Sequence, residues 1–346
     1  MAWWTIGHRR DSAGMHERNH HRSRAPGLSA AMLLAVRGHQ VTVLERDPAR
    51  PPARGEQAWT SWERPGVSRL RLPHLMMPRG RILLETELPE VVAGLETAGA
   101  LRHNMIAAAA ILPGGGGRQD GDARYDTLGA RRPLLESVLA AAADRTAGVT
   151  VRRGVAVTRL LPGQACLPGV PHVTGVQTGD GEVLKADLVV DATGRKSQIF
   201  KLLAELGPVQ DTEDRAGAGF VSSGPARRRD LVADGKPVVT GLLAIGDAWA
   251  STNPTFGQGL AMGLLQATLL RDALDTVSTA DPVKLTLVFS EYLVAGAAPF
   301  YEGLRGWDHH RIAEIDAHIK GERRVGMRLE VADVQRGRLR AAQPHA

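Results

Sequence analysis

The chain has 346 residues, 43% of them apolar and 23% charged, which is enough to bury a large core and excludes a disordered chain. Its net charge of +6 comes from 37 Arg and 6 Lys against 37 acids, spread along a sequence with only 4% aromatics. That distribution lacks the basic stripe of a nucleic-acid binder, and the single cysteine, Cys166, excludes an internal disulfide framework and fits a reducing, cytoplasmic location.

Residues 1–24 hold four of the twelve histidines and five arginines with no sustained period. They predict a poorly ordered tail and contain no apolar stretch of signal-peptide type. "AWWTI" within them has the composition of a short strand, but some twenty residues separate it from Gly27, too far for a tight strand–turn–helix. Leu28, Met32, Leu33 and Val36 form the apolar stripe of a helix over 27–37, stopped by Gly38. "QVTVLE" is a strand ending in an acid. Residues 48–80, rich in Pro, Arg and Gly, predict an extended loop region. "LPEVVAGLETAGA" and "RRPLLESVLAAAADR" predict helices on either side of a flexible loop at 113–122. "VTVRRGVAVTRLLP" and "VTGVQTGDGEVLKADLVVDATG" predict strands with a hairpin turn at "TGDGE". "GLLAIGDA" is a buried strand with a polar end, 257–275 is helical, and the remainder to about 335 is mostly helical. No apolar run approaches the ~20 residues of a membrane span. Alternating strands and helices around a β-rich insert predict an α/β architecture.

Two stretches carry chemistry. In "RAPGLSAAMLLAVRGHQVTVLERD", residues 24–47, Gly27 opens a helix whose amides and dipole favour a pyrophosphate. Glu45, 18 residues further on, is placed to accept both hydroxyls of an adenosine ribose, with Arg46 beside it in the same candidate cofactor-binding set. The strand and two glycines expected ahead of Gly27 are missing, and Pro26 has no N–H to offer. On its residues alone this segment is equally an ordinary βα unit with an exposed Glu.

"GLLAIGDAWASTNPTFGQGLAMGLLQA", residues 241–267, is more specific. An apolar strand delivers Asp247 at its end, and Gly246 permits a sharp turn there. After a loop with Pro254, the residues Gly257, Gln258, Gly259 and Leu260 begin a helix with free N–H groups. An acid for sugar hydroxyls, followed by a helix N-terminus aimed at an electron-poor ring, suits a flavin.

"GLSAAMLLAVRGHQVTVLERD", "ADLVVDATGRKS" and "GLLAIGDAWASTNPTFGQGLAMG" occur in that order, and together they resemble the FAD-dependent monooxygenases of the aromatic-hydroxylase type, with the related epoxidases and geranylgeranyl-reductase-like oxidoreductases. "RPGVSRLRLPHLMMPRGRILLETELPEV" adds to the likeness, which covers most of residues 25–310. The resemblance implies a Rossmann-like, three-layer FAD/NAD(P)-binding domain over 25–276. A reduced β-rich substrate lobe is interleaved at about 48–125 and 195–240, and helices close the chain over 277–346. It implies that Gly27 and Glu45 contact the ADP half of FAD, and that Arg132, or Arg131, reaches the cofactor. Asp191, Thr193 and Gly194 match a second nucleotide motif near the pyrophosphate. Asp247 matches the ribityl-binding acid, and Pro254 and Gly257 to Gly259 match the loop beside the ring. It assigns no catalytic side chain and no metal. His74 falls in the "RLPHL" loop, which the resemblance sets near the cofactor, while a lone His is more often structural or exposed; adjacent His309 and His310 point about 100° apart on a helix, which rules out a metal pair. The implied activity is oxygenation or epoxidation of a lipophilic small molecule: NADPH or NADH reduces the flavin, O2 is the co-substrate, and a flavin hydroperoxide transfers the oxygen.

The chain departs from that family in two places. Members begin with a hydrophobic strand leading into three glycines, of which only Gly27 remains, and losing a central parallel strand exposes its neighbours' edges. Between Gly194 and Gly241 stand only 46 residues, polar and Gly-rich, where the family has a longer span. "DATG" replaces the Gly-Asp-Gly type of sequence and leans towards the epoxidase and reductase branches. The alternatives to a working flavoenzyme are a degenerate, inactive member that binds FAD poorly and, last, an NAD-linked dehydrogenase using only the first unit.

Overall fold

Val41, Val43 and Leu44 are almost wholly buried, as an apolar run covered on both faces should be in a parallel strand. They belong to the central sheet of the computed structural model, which describes residues 2–6, 25–52, 55–63, 71, 73–107, 111, 117–207, 210, 212–215, 226–254 and 257–321. The chain runs through β1 (Ala2–Ile6), α1 (Ala25–Val36), β2 (Val41–Glu45), α2 (Gly55–Thr60), β3 (Pro73–Met76), α3 (Pro78–Glu87), α4 (Pro89–Thr97) and β4 (Leu101–Asn104). It continues through β5 (Asp126–Arg131), α5 (Arg132–Arg145), β6 (Val149–Arg153), β7 (Val157–Pro162), β8 (Val173–Thr178), β9 (Val183–Lys185), β10 (Leu188–Asp191) and α6 (Ile199–Ala204). The short strands β11 (Glu213–Arg215), β12 (Arg227–Arg229), β13 (Val232–Ala233) and β14 (Lys236–Pro237) lead to β15 (Leu242–Ala244) and β16 (Ala250–Ser251). Helices α7 (Gly259–Thr276), α8 (Pro282–Tyr292) and α9 (Ala298–Ile319) follow, with a π-helical turn, Leu293–Ala297, between the last two.

Among the described residues, five strands form the central sheet in the order β15-β10-β1-β2-β6. The slot expected to be empty is filled by β1. Residues 2–6 are therefore not tail but the middle of the sheet, while 7–24 lie outside the described residues. Trp3 and Trp4, on opposite faces of the strand, are both buried, and aromatic side chains favour a pleated surface. The strand is reversed. It pairs antiparallel with β2 and with β10, whereas β2–β6 and β10–β15 are parallel. Its first residue, Ala2, stands opposite Glu45, and Ile6 stands opposite Val41. The chain must then return along the whole strand length to reach Ala25. Residues 7–24 supply up to about 60 Å of contour for that return, so the separation that forbids a tight turn is what a reversed strand requires.

Helix α1 ends as expected at Gly38, whose φ of +89° lets Gly38 and His39 donate to the Ala35 and Leu34 carbonyls, a Schellman stop. It packs along α7 and α5, and β8 of the β7–β8–β9 meander packs against β10, which gives the layers expected. A Cβ at Gly263 of α7 would collide with the Pro26 ring, so the small residue sets how closely α1 and α7 approach.

Residues 48–80 are less extended than expected. They contain α2, β3 and the start of α3, and β3 joins β5 and β4 in a small sheet. The polar segment between Gly194 and Gly241 also forms strands. β11, β12 and β16 pair, held by charge where apolar side chains are scarce. The Arg229 guanidinium, 4% exposed, donates to Glu213 at 2.6 Å and to the Ala248 carbonyl at 3.2 Å.

By length and composition one helical stretch, Pro282–Ile319, is apolar enough to cross a membrane, with a best-window mean hydropathy of 1.3. The sequence reading did not find it. Leu285, Phe289, Leu293, Ala297 and Tyr301 of that stretch are buried in the core of the chain, while Val294 and Ile319 are exposed, and 33% of its most apolar window is buried.

Two measurements check β1. Trp4→Ala, at a fully buried position, should lower stability in urea by about 3–5 kcal/mol. Thr5→Cys with Thr42→Cys should cross-link on oxidation, because the two residues face each other only in the reversed register; directly opposite Cβ atoms lie about 4.5–5.5 Å apart. A parallel β1 would leave those thiols free.

Candidate cofactor site

The pairing of β10 with β15 continues to the carboxyl edge of the sheet, where the Ile245 N–H donates to the Asp191 carbonyl at 2.9 Å. Gly246 then turns at φ +63°, a left-handed value that favours glycine. Its N–H donates to the Gln266 side-chain oxygen at 2.5 Å. Gln266 is fully buried on α7, so the turn that carries Asp247 is pinned to the helix that follows it. Asp247 Oδ1 lies 3.7 Å from where a Cβ on Gly259 would stand. The half-buried carboxylate thus sits over the start of α7, where first-turn amides have no intrahelical partner. Gly257, at φ +64°, donates to the Pro254 carbonyl at 3.1 Å. Pro254 is exposed, Gln258 half-buried and Leu260 buried. Met77 lies 3.9 Å from the Cβ position of Gly257, an apolar neighbour for this loop.

Asp191 ends β10 beside that turn. Its carboxylate is wholly buried and accepts from the Thr193 N–H at 2.7 Å and from the Ser197 hydroxyl. Burial pushes its carboxyl above the ordinary range, against the pull of those bonds and of Arg229. The carboxylate is engaged within its own loop and shapes the Gly194–Lys196 turn, which packs on the Gly246–Ala248 turn. Thr193 is buried and Gly194 sits at φ +80°. Arg195 of the same turn donates to the Thr252 carbonyl.

The first unit meets the second through Pro26. Its ring fills the space between Gly246, whose Cβ position is 3.5 Å away, and Gly263. Pro26 and Gly27 lie in the buried first turn of α1. Glu45 is also buried, unlike the exposed acid an ordinary βα unit would show, and accepts from the Asp47 N–H at 2.9 Å. Beside it, burial holds the Arg46 guanidinium below its ordinary value while Glu45 acts against that. Glu45 and Asp191 end strands two steps apart, about 10 Å. The carboxyl ends of β2, β10 and β15 therefore set Glu45, Asp191 and the Gly246–Asp247 turn along one edge of the sheet.

The two arginines at the head of α5 part company. Arg131 pairs with Glu56 at 3.1 Å and lies over the Trp59 ring at 4.5 Å. Arg132 folds back on its own helix, with Nε 2.9 Å from a carboxylate oxygen of the buried Glu136. His74, on β3 rather than in a loop, stands near this pair. Burial, then Arg132, lowers its pKa to about 4, with Glu136 opposing.

Sequence reasoning missed three supports. Gln266 has a signal, a lone amide in the apolar run "GLAMGLLQATLL". Arg229 with Glu213, and Asn253 with Asp308 at 2.5 Å, have none, because their partners are distant in sequence. A cavity of about 20 Å3 between β15 and α8, lined by Leu243, Trp249, Phe289 and Leu293, holds none of the residues singled out. It is smaller than the roughly 300–1,000 Å3 of small-molecule sites.

These contacts suit the two ends of FAD unequally. The ring end fits: an acid over a helix start, two glycines in the approach loop and an apolar neighbour. The ADP end fits in part, with a buried acid and a helix start that lacks one amide at Pro26.

No family model and no curated protein matches the sequence. Solved structures match the fold. PqsL of Pseudomonas aeruginosa, described as a probable FAD-dependent monooxygenase, aligns at TM-score 0.54 and 16% identity over 83% of this chain and 92% of its own. PyrE3, a Diels-Alderase of pyrroindomycin biosynthesis, aligns at 0.53 and 18% identity over 85% and 74%. BexE, studied for oxidation during BE-7585A biosynthesis, aligns at 0.51 and 17% identity over 86% and 72%. The chain has the Rossmann-like α/β fold of FAD-binding monooxygenases, and a fold alone does not set a reaction.

His74 supplies a pH test. The unfolded chain protonates this imidazole near pH 6.5 and the folded chain only near 4. Between those values the unfolded state binds more protons, so stability falls as pH falls through that window, by up to about 3 kcal/mol. His74→Gln should remove that part of the loss, read as the difference between the two urea-unfolding curves from pH 7 to pH 4.

Proposed function

We propose that the chain binds FAD and acts as an NAD(P)H-dependent oxidoreductase, a monooxygenase of a lipophilic small molecule. The observation that carries this reading is the Gly246–Asp247 turn, pinned by Gln266 over the start of α7. Bound FAD would supply hydride acceptance from NADPH or NADH and the activation of O2.

The chain's own residues would do the rest. Asp247 would accept hydrogen bonds from the ribityl hydroxyls. The N–H groups of Gly259 and Leu260, with the dipole of α7, would face the ring and offset negative charge near N1 and C2=O. Gly257, Gln258 and Pro254 would border the ring, and Met77 with Leu260 would help keep water from it. Glu45 would hold the adenosine ribose with Arg46 alongside, and the first turn of α1 at Gly27 would meet the pyrophosphate. The Asp191, Thr193 and Gly194 loop would back this edge rather than bond the cofactor through its carboxylate. Arg132 would add positive charge from the α5 side. The exposed Cys166 thiol supports a reducing, cytoplasmic setting.

One observation favours a second reading, a protein of this fold that retains flavin too weakly to turn over. The Pro26 ring occupies the gap between Gly246 and Gly263 at the start of α1, where a phosphate needs amides.

The test is the visible absorption spectrum of the purified chain after incubation with FAD and desalting. A retained flavin band is expected, and Asp247→Ala should weaken FAD at least tenfold, since bonds to a charged acceptor contribute about 1.5–3 kcal/mol. Unchanged affinity in that variant would remove Asp247 from the site, and a wild-type chain that stays colourless would sink the FAD reading.

A further inference from the structure

Two clamps hold the segment that leads into the ring loop. On one side Arg195 donates to the Thr252 carbonyl. On the other, Asn253 donates from its side-chain nitrogen to Asp308 Oδ1 at 2.5 Å. Asp308 lies 55 residues away on α9, yet it is only 6% exposed and Asn253 only 4%. A carboxylate is not carried into so dry a place without a donor, because its desolvation is costly unless hydrogen bonds offset it. The bond also sits immediately before Pro254, whose fixed φ transmits the position of Asn253 into the loop.

Helix α9 has independent anchors. Tyr301, two turns before Asp308 and so on the same face, is fully buried. Arg305 pairs with Asp214 of β11 at 2.6 Å, and Glu302 with Arg228 of β12 at 3.3 Å. The helix stays docked without the Asp308 contact because Ala298, Tyr301 and Ala317 of the same helix are buried, and that contact is free to serve the loop.

We propose that Asp308 is a positioning residue for the flavin ring: through Asn253 it fixes Pro254, whose carbonyl accepts from the Gly257 N–H, and with it the amides at the start of α7. This assignment rests on the FAD reading above for its chemical meaning, but the loop itself can be tested without flavin.

The experiment compares wild type, Asp308→Leu, Asp308→Asn and Asn253→Ala. In the flavin-free protein, amide hydrogen exchange at Thr252, Asn253, Gly257, Gln258 and Gly259 should be at least tenfold faster in Asp308→Leu than in wild type. Exchange in the sheet strands β2 and β10 should not change. Asp308→Asn keeps the accepting oxygen and should restore slow exchange. Asn253→Ala should reproduce the effect of Asp308→Leu, and the double variant should add nothing further. With FAD added, Asp308→Leu should weaken flavin retention about tenfold and shift the absorption band and midpoint potential of whatever flavin remains, whereas Asp308→Asn should match wild type within about threefold.

Unchanged loop exchange in Asp308→Leu would overturn the assignment, as would Asp308→Leu and Asp308→Asn behaving alike. If wild type binds no FAD while the exchange pattern holds, the loop clamp stands and the FAD reading is what fails. If FAD binds with the same affinity, spectrum and potential in all four proteins, the FAD reading stands and the positioning role of Asp308 is lost.

Discussion

The middle slot of the central sheet must be filled. β2 and β10 each present a row of backbone N–H and C=O groups to that slot, and buried backbone groups left unpaired cost about as much as lost hydrogen bonds. No glycine-rich parallel strand stands in this sequence to take the place. "AWWTI" meets the need from the other direction. Antiparallel and parallel partners both complete a ladder, so the sheet closes with β1 reversed. The apolar core follows from that closure. Trp3 and Trp4 cover both faces at the centre, α1 packs on β1 and β2, α5 on β6, and α7 packs on α1.

The reversal decides what stands at the carboxyl edge. A parallel strand would deliver its carboxyl end, and a turn full of amides, to the start of α1. The reversed strand delivers its first residue, Ala2, opposite Glu45 instead. The start of α1 is then placed by packing, with the Pro26 ring wedged between two glycines. At the other end of the edge nothing has changed hands. β15, the Gly246 turn, Gln266 and the start of α7 form a connected unit held by backbone geometry and one buried amide. The two halves of the candidate site are therefore built by different physics, steric at the ADP end and hydrogen-bonded at the ring end.

Much of this was legible in the sequence. The α1 stripe and its Gly38 stop, the acid ending β2 and the Gly-Asp turn before α7 are local signals, written within a few residues of where they act. The orientation of β1 was not legible, because a five-residue apolar run carries no mark of direction; only the length of the connection to α1 hints at it. The strands between Gly194 and Gly241 were hidden for another reason. Their stability comes from pairs such as Arg229 with Glu213, and a sequence shows both charges without showing that they meet. Asp191 was seen at its place on the edge, but not that its carboxylate serves its own loop. Asp308 was invisible because its partner lies 55 residues away and nothing in "GWDHH" points to it.

The replacement of apolar contacts by buried charge also shapes how this chain should respond to change. Among the described residues, β11, β12 and α9 are tied by Arg227, Arg228, Arg229 and Arg305 to Glu213, Asp214 and Glu302. Breaking one partner of a buried pair leaves a charge in a dry place, which costs more than the pair contributes when intact. Surface pairs such as Arg305 with Asp214 are screened and worth little singly, but the Arg229 guanidinium is not at the surface. It also reaches the Ala248 and Ser197 carbonyls, one from the Asp247 turn and one from the Asp191 loop. Strand β12 is thus not an appendage to the edge that carries Asp191 and Asp247. Arg229 of that strand braces both turns of the edge, so the β11–β12 pair and the two turns share one buried charge.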